Sequence, residues 1–179
     1  MKTLTKEEKR ELLQQLATPP DFWNVINAEF DFQIDVCASA ENAKCKQYLT
    51  SENNALSPNV EWIFSGESEF SYRRKRAWCN PGFATVLPWH QKAYAEAQKH
   101  PSAVVVLIGL PGGSQDWWHF AYNHATQVRT LDDRVQYIPP PGIEDKGNSR
   151  ESWLFIYRRK VVPCPAQIVR DDWRARITA

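Results

Sequence analysis

The most uniform apolar stretch of the chain is residues 103–108, Ala-Val-Val-Val-Leu-Ile, closed by Pro101 before it and Gly109 after it. Six residues are too few to cross a bilayer. The absence of any polar alternation predicts a strand covered on both faces, in the middle of a sheet. Residues 76–79 form a second run too short for a helix and read as another buried strand, stopped by Pro81 and Gly82. Residues 32–38 read as the first core strand. Shorter strands are predicted at 62–66, 128–131, 134–137 and 152–157.

Helical spacing appears between them. Leu12, Leu13 and Leu16 predict an opening amphipathic helix over residues 6–16, halted at Thr18-Pro19-Pro20. A second helix runs from Asp21 to about Phe30, with Thr18 or Asp21 as its cap. Trp89, Ala93 and Ala97 mark one side of a helix over 89–99, and Ser114 caps another that carries Trp117, Trp118, Phe120 and Tyr122 as far as Ala125. Residues 41–49 read as a short helix or an irregular segment, and 50–58 as turns. Strands that alternate with helices and then crowd together predict an α/β fold. Its sheet is mostly parallel, with antiparallel strands at the C-terminal end.

At 179 residues the chain is one domain long. The expected division is an opening helix (1–16), a core (17–160) and a C-terminal extension (161–179). A hydrophobic fraction of 42% excludes general disorder. The N-terminal residues lack the apolar core of a signal peptide, which makes the cytosol the default compartment, and no membrane partner is expected. Cys37, Cys45, Cys79 and Cys164 have neither C-x-x-C pairing nor a histidine at zinc-finger spacing, so reduced thiols and no metal site are expected. Net charge is +1, yet Arg73-Arg74-Lys75-Arg76 and Arg158-Arg159-Lys160 concentrate cations locally. Each cluster reads either as a solvated loop or as a phosphate contact. The first abuts the strand 76–79.

That strand leads into Asn80-Pro81-Gly82-Phe83. Ligands in α/β sheets bind outside the carboxyl ends of strands, and an Asn held there by a stiff proline turn presents a carbonyl oxygen to an amine. An aromatic ring beside it suits a flat substrate. As a bare tetrapeptide it is equally an ordinary turn. Asp35 ends the first strand and reads either as a turn cap or as an acceptor for a ligand's ammonium or hydroxyl. Ala38, Ser39 and Ala40 let a ligand approach the backbone. No G-x-G-x-x-G is present.

Asn80-Pro81-Gly82-Phe83 resembles the D/N-P-P-Y/F signature of DNA methyltransferases that modify exocyclic amines. Thr18-Pro19-Pro20, Asp35-Val36-Cys37-Ala38, Asn42-Ala43-Lys44-Cys45, Asn54-Ala55-Leu56, Trp62 and Trp78-Cys79-Asn80-Pro81 occur in the order seen in the phage-type DNA N-6-adenine methyltransferase (Dam-like) family. The similarity extends weakly through Leu110-Pro111, Trp117-Trp118 and residues 133–137, and so covers roughly residues 17–157.

The resemblance implies a Rossmann-like, S-adenosylmethionine-dependent methyltransferase fold, with double-stranded DNA as substrate and a phage or prophage origin. It assigns Thr18 to the methionine carboxylate, Asp35 and the Cys37 backbone to the methionine ammonium, and Asn54 to the cofactor adenine. Asn80 and the Pro81 carbonyl accept from the target amine while Phe83 stacks on the everted base. Arg73, Arg74, Lys75 and Arg76, together with Arg158, Arg159 and Lys160, are the expected phosphate contacts. Two departures stand out. Gly82 replaces a second proline, and the interval from Ala38 to Asn54 is too short to hold the usual ribose-binding acid, leaving Glu41 as its substitute. Two other readings stay open at this point: an inactive methyltransferase-like binding module, and cytosine amino methylation.

Overall fold

The computed structural model describes residues 5, 7–8, 12, 15–64, 75–82, 85–113, 115–144 and 147–177. The helices that cover the sheet are α1 (Pro20–Phe30), α2 (Leu87–Gln98) and α3 (Asp116–His124). The strands are β1 (Ile34–Asp35), β2 (Gln47–Tyr48), β3 (Arg76–Cys79), β4 (Val104–Gly109), β5 (Gln127–Leu131), β6 (Trp153–Arg158) and β7 (Gln167–Asp171). They form one sheet in the order β2-β1-β3-β4-β6-β5-β7. The pairs from β2 to β4 are parallel, as is β5 with β7, and β6 runs against both its neighbours. This is the mostly parallel α/β sheet, reversed near its C-terminal end, that the sequence pattern predicts.

β4 shows why its sequence is apolar without interruption. Val104, Val106 and Ile108 face one layer, where α1 supplies Phe22, Ile26 and Phe30. Val105 and Leu107 face the other, where α2 supplies Ala93 and Ala97 and α3 supplies Ala121. A strand with helices on both faces has no position left for a polar side chain. The i, i+4, i+8 spacing of Phe22, Ile26 and Phe30 puts all three on the buried stripe of α1. Each large side chain so buried contributes about 1.5–3 kcal/mol.

Several boundaries differ from the sequence reading. α1 begins at Pro20 with Pro19 as N-cap and no side-chain cap; Asp21 accepts from the neighbouring Phe22 amide instead, at 2.8 Å. Residues 134–137 form no strand: the Tyr137 amide donates to the Val135 carbonyl at 3.1 Å in a tight turn, and an isolated bridge follows between Ile138 and Ala17. Trp62 and Ile63 are not in a strand, because their amides donate to the buried carboxylate of Glu96, both at 3.0 Å. Residues 167–171, placed by sequence in an extension outside the core, are the edge strand β7. They are held to α1 through Arg129, which pairs with Glu29 at 2.6 Å and Asp171 at 3.2 Å. Of the expected opening helix, Glu7, Glu8 and Leu12 are helical, and Thr5 and Glu8 cap one another reciprocally. The rest of that segment, and Ser114, lie outside the described residues. No described helix is long and apolar enough to cross a membrane.

Candidate active site

From β1 the chain steps outward to β2 and then returns past β1 to β3, so the strand order reverses between β1 and β3. A crevice opens at the carboxyl ends of strands at such a switch point. Here it is a cleft of about 510 Å³, within the range usual for small-molecule sites. Its walls come from the segments that leave β1 (Val36 to Ser39), β2 (Thr50, Ser51, Asn54) and β3 (Asn80, Gly82), with Leu16 and Trp89 across from them.

Asn80 is the residue whose geometry is most constrained. Its Nδ2 donates to the Leu16 carbonyl at 3.0 Å and to Thr18 Oγ1 at 3.2 Å. A carbonyl oxygen only accepts, so the Leu16 contact fixes which end of the amide is nitrogen. Oδ1 is thereby turned away from residues 16–18, and among the described residues nothing donates to it. Pro81, buried, locks the next backbone torsion. The Gly82 amide lies close enough to the Cys37 thiol to favour its charged form. Burial, and after it the Asp35 charge, pushes that thiol up to about 12, so Cys37 is a neutral packing group.

Asp35 is buried, 3% exposed, behind the cleft wall. Its carboxylate accepts from the Cys37 amide at 3.3 Å and the Lys44 amide at 3.1 Å, which folds the segment after β1 around it. Burial outweighs both amides and the Lys44 charge and raises its pKa to about 6. A buried carboxylate at the end of β1, accepting two amides and with lone pairs to spare, suits an ammonium-bearing ligand. Asn54 is exposed on the cleft rim in the left-handed region, φ 48°, a conformation Asn tolerates well. Glu41 is exposed, hydrogen-bonded by the Ser39 hydroxyl, which lowers its pKa, and does not line the cleft.

Thr18, Asn80, Pro81 and Cys37 are thus brought together, with Asn54 on the facing rim and Asp35 behind. Phe83, Arg73 and Arg74 lie outside the described residues. Lys75 and Arg76 are elsewhere. Arg76 begins β3 and Lys75 precedes it, and at about 3.3 Å per residue Arg76 is roughly 13 Å from Asn80, at the opposite end of the sheet. Lys75 donates to the Phe64 carbonyl, and Arg76 to the Phe30 carbonyl at 3.0 Å with Asp31 at 3.4 Å. Sequence reasoning missed the Leu16 carbonyl and Trp89, which no motif marks. It also missed the role of Asn42, whose Oδ1 accepts from the Ser39 amide at 2.7 Å inside the cleft wall. Among the described residues no three His, Cys, Asp or Glu side chains gather as a metal site.

A parallel sheet with one reversed strand, a cleft at its switch point and an Asn-Pro turn at the cleft floor can be set against known proteins. The family model for DNA N-6-adenine-methyltransferase (Dam) matches residues 2–174. The chain belongs to that family. It is also 26% identical over 165 residues to the DNA N-6-adenine-methyltransferase of Haemophilus phage HP1 (strain HP1c1), covering 89% of this chain and 85% of that protein. As a Dam-family member it is a transferase that methylates the amino group of adenine in DNA, and neither a cytosine enzyme nor an inactive module is favoured. Family membership implies S-adenosylmethionine as methyl donor.

Proposed function

We propose that this Dam-family enzyme holds S-adenosylmethionine in the cleft between β1 and β3 and presents to it an adenine everted from double-stranded DNA. The observation that carries the reading is the fixed amide of Asn80, with nitrogen bound to Leu16 and Thr18 and oxygen left for a donor. When bound, the cofactor supplies an electrophilic methyl group on a sulfonium. The chain supplies the alignment. Asn80 Oδ1 and the Pro81 carbonyl accept the two amine hydrogens of adenine, which favours a pyramidal nitrogen and releases its lone pair from the purine ring. Both acceptors are fixed in place beforehand, so little reorganisation accompanies transfer.

On the cofactor side, Asp35 and the Cys37 backbone take the ammonium, Ala38 and Ser39 allow close approach, and Asn54 accepts from the cofactor adenine. Phe83 covers the face of the everted base, a stacking contact of about 1–3 kcal/mol that offsets part of the unstacking cost. The test is transfer of a labelled methyl group from S-adenosylmethionine to unmethylated duplex DNA, followed by digestion to nucleosides. Label in methyladenine that is lost in Asn80→Ala, with cofactor binding retained, supports the reading. Label in methylcytosine, or undiminished turnover by Asn80→Ala, overturns it.

A further inference from the structure

Of the basic clusters, the described members Lys75, Arg76, Arg158, Arg159 and Lys160 are at the wrong end of the sheet for a duplex entering the cleft. Arg76 starts β3, and because β6 runs against β4, Arg158 pairs with Val104 at the amino end of β4. Arg159 and Lys160 follow from there. The carboxyl end instead carries a long connection, residues 132–152, between β5 and β6. Along its first stretch Arg134, Gln136 and Ile138 are exposed while Val135 and Tyr137 are buried. The three exposed side chains leave this stretch with a solvent-facing edge.

This edge is held rigidly, and it is held to the catalytic turn. Ile138 exchanges two backbone hydrogen bonds with Ala17, each 2.9 Å, and Ala17 stands between Leu16 and Thr18, the two residues that bind the Asn80 amide. Gln136 accepts from the Asn148 amide at 2.7 Å, Asn148 donates to the Val135 carbonyl at 2.9 Å, and Tyr137 meets Ser152 at 3.1 Å, closing the base of the connection. Pro139, Pro140 and Pro141 stiffen the backbone on the far side of Ile138. The result is a β-branched apolar side chain, 46% exposed, on a segment bridged to the one whose Leu16 and Thr18 bind the Asn80 amide. Charge points the same way. Nearby Arg170 and Arg174 are neutralised by Asp132 and Asp133, but Arg134 and Arg150 are exposed and make no ion pair among the described residues.

We propose that this edge is where the duplex is gripped: Ile138 enters the gap left in the base stack by the everted adenine, and Arg134 and Arg150 contact the flanking phosphates. Apolar wedges of this kind are a general means of holding a stack open, and the assignment rests on the reading of the cleft as the site of base methylation. The test first locates the site methylated by the native protein. That site is then placed in two synthetic duplexes, with the target adenine either paired or opposite a mismatch. Ile138→Ala is expected to turn over the paired duplex about tenfold more slowly than the native protein and to regain most of the loss on the mismatched one, where unstacking is already cheap. Arg134→Ala with Arg150→Ala should reduce the slope of log affinity against log salt by about two, roughly one per lost phosphate contact, while Arg159→Ala with Lys160→Ala leaves it unchanged.

Equal rates for native and Ile138→Ala on the paired duplex, or equal losses on both duplexes, overturn the wedge. An unchanged salt slope in the arginine variant overturns the phosphate assignment. If the native protein itself transfers no methyl group to DNA, the reading of the cleft falls and this inference falls with it.

Discussion

Thr18 Oγ1 lies 3.2 Å from Asn80 Nδ2, joining the segment before α1 to the turn after β3 across 62 positions of sequence. Thr18 is 2% exposed. Its hydroxyl and the Leu16 carbonyl together use both hydrogens of the amide nitrogen, so Asn80 cannot swing its oxygen out of register without breaking a hydrogen bond. We propose from this geometry that Thr18 positions the acceptor, a role distinct from the cofactor contact that the sequence resemblance implies for it.

The two roles separate kinetically. Thr18→Val keeps the volume but removes the acceptor, a loss of about 0.5–1.5 kcal/mol. The expected result is a kcat lowered about two- to tenfold, with the KM for S-adenosylmethionine nearly unchanged and activity restored by Thr18→Ser. If Thr18 instead holds the methionine carboxylate, the loss falls on cofactor affinity and kcat at saturation survives. Steady-state kinetics with varied cofactor decides between them.

Asp35 gives a pH signature. Its pKa rises from the ordinary 3.8 to about 6 because burial disfavours the charge. The ligand-free folded state therefore binds more protons than the unfolded chain between about pH 4 and pH 6, and stability falls as pH rises through that window, by about 3 kcal/mol in all. An ammonium taken by the ionised carboxylate reverses the preference. Cofactor affinity should then climb up to about tenfold per pH unit below 6 and level off above it, and Asp35→Asn should weaken binding and flatten the profile. Calorimetric titration from pH 5 to pH 8 checks this. A flat profile in the native protein would show that Asp35 only shapes the loop.

The parts of this molecule that were legible in the sequence are those whose signal is local. The run at 103–108 could only be a strand covered on both sides, and the stop at Pro81-Gly82 placed Asn80 at a strand end. Family resemblance then supplied the chemistry. What was not legible depends on distant partners. Thr18 reads as a helix cap until Asn80 is brought to it. Trp62 and Ile63 read as a strand because their amides go to a carboxylate more than 30 positions away. β2 is two exposed residues, and β7 is an edge strand buried only at Asp171, so neither carries a buried pattern. Lys75 and Arg76 show a topological reason why such clusters are hard to read. Adjacency to a strand in sequence does not tell which end of that strand faces the ligand.

Glu96 links stability to the shape of the cleft. One carboxylate oxygen accepts from the Trp62 and Ile63 amides, and the other pairs with Lys92 and Lys99, both at 2.9 Å. Trp62 in turn donates to the Ala55 carbonyl at 2.9 Å and stacks on Trp89, and Ala55 and Trp89 both line the cleft. Burial alone would push the Glu96 carboxyl up. The Ile63 amide and the two ammonium groups outweigh it and hold the pKa below the ordinary 4.5. A depressed folded-state pKa means that stability from this group is present above the ordinary carboxylate range and is lost as pH falls through the lowered value. Glu96→Ala leaves two buried amides without an acceptor and should cost about 3–5 kcal/mol. Glu96→Gln keeps an acceptor for the amides, loses the ion pairs, and should cost less. Its denaturation midpoint should also be flatter than the native one between pH 5 and pH 3. Chemical denaturation at those pH values, with cofactor affinity measured alongside, tests both links. An acid limb as steep in Glu96→Gln as in the native protein would place the acid sensitivity in another carboxylate.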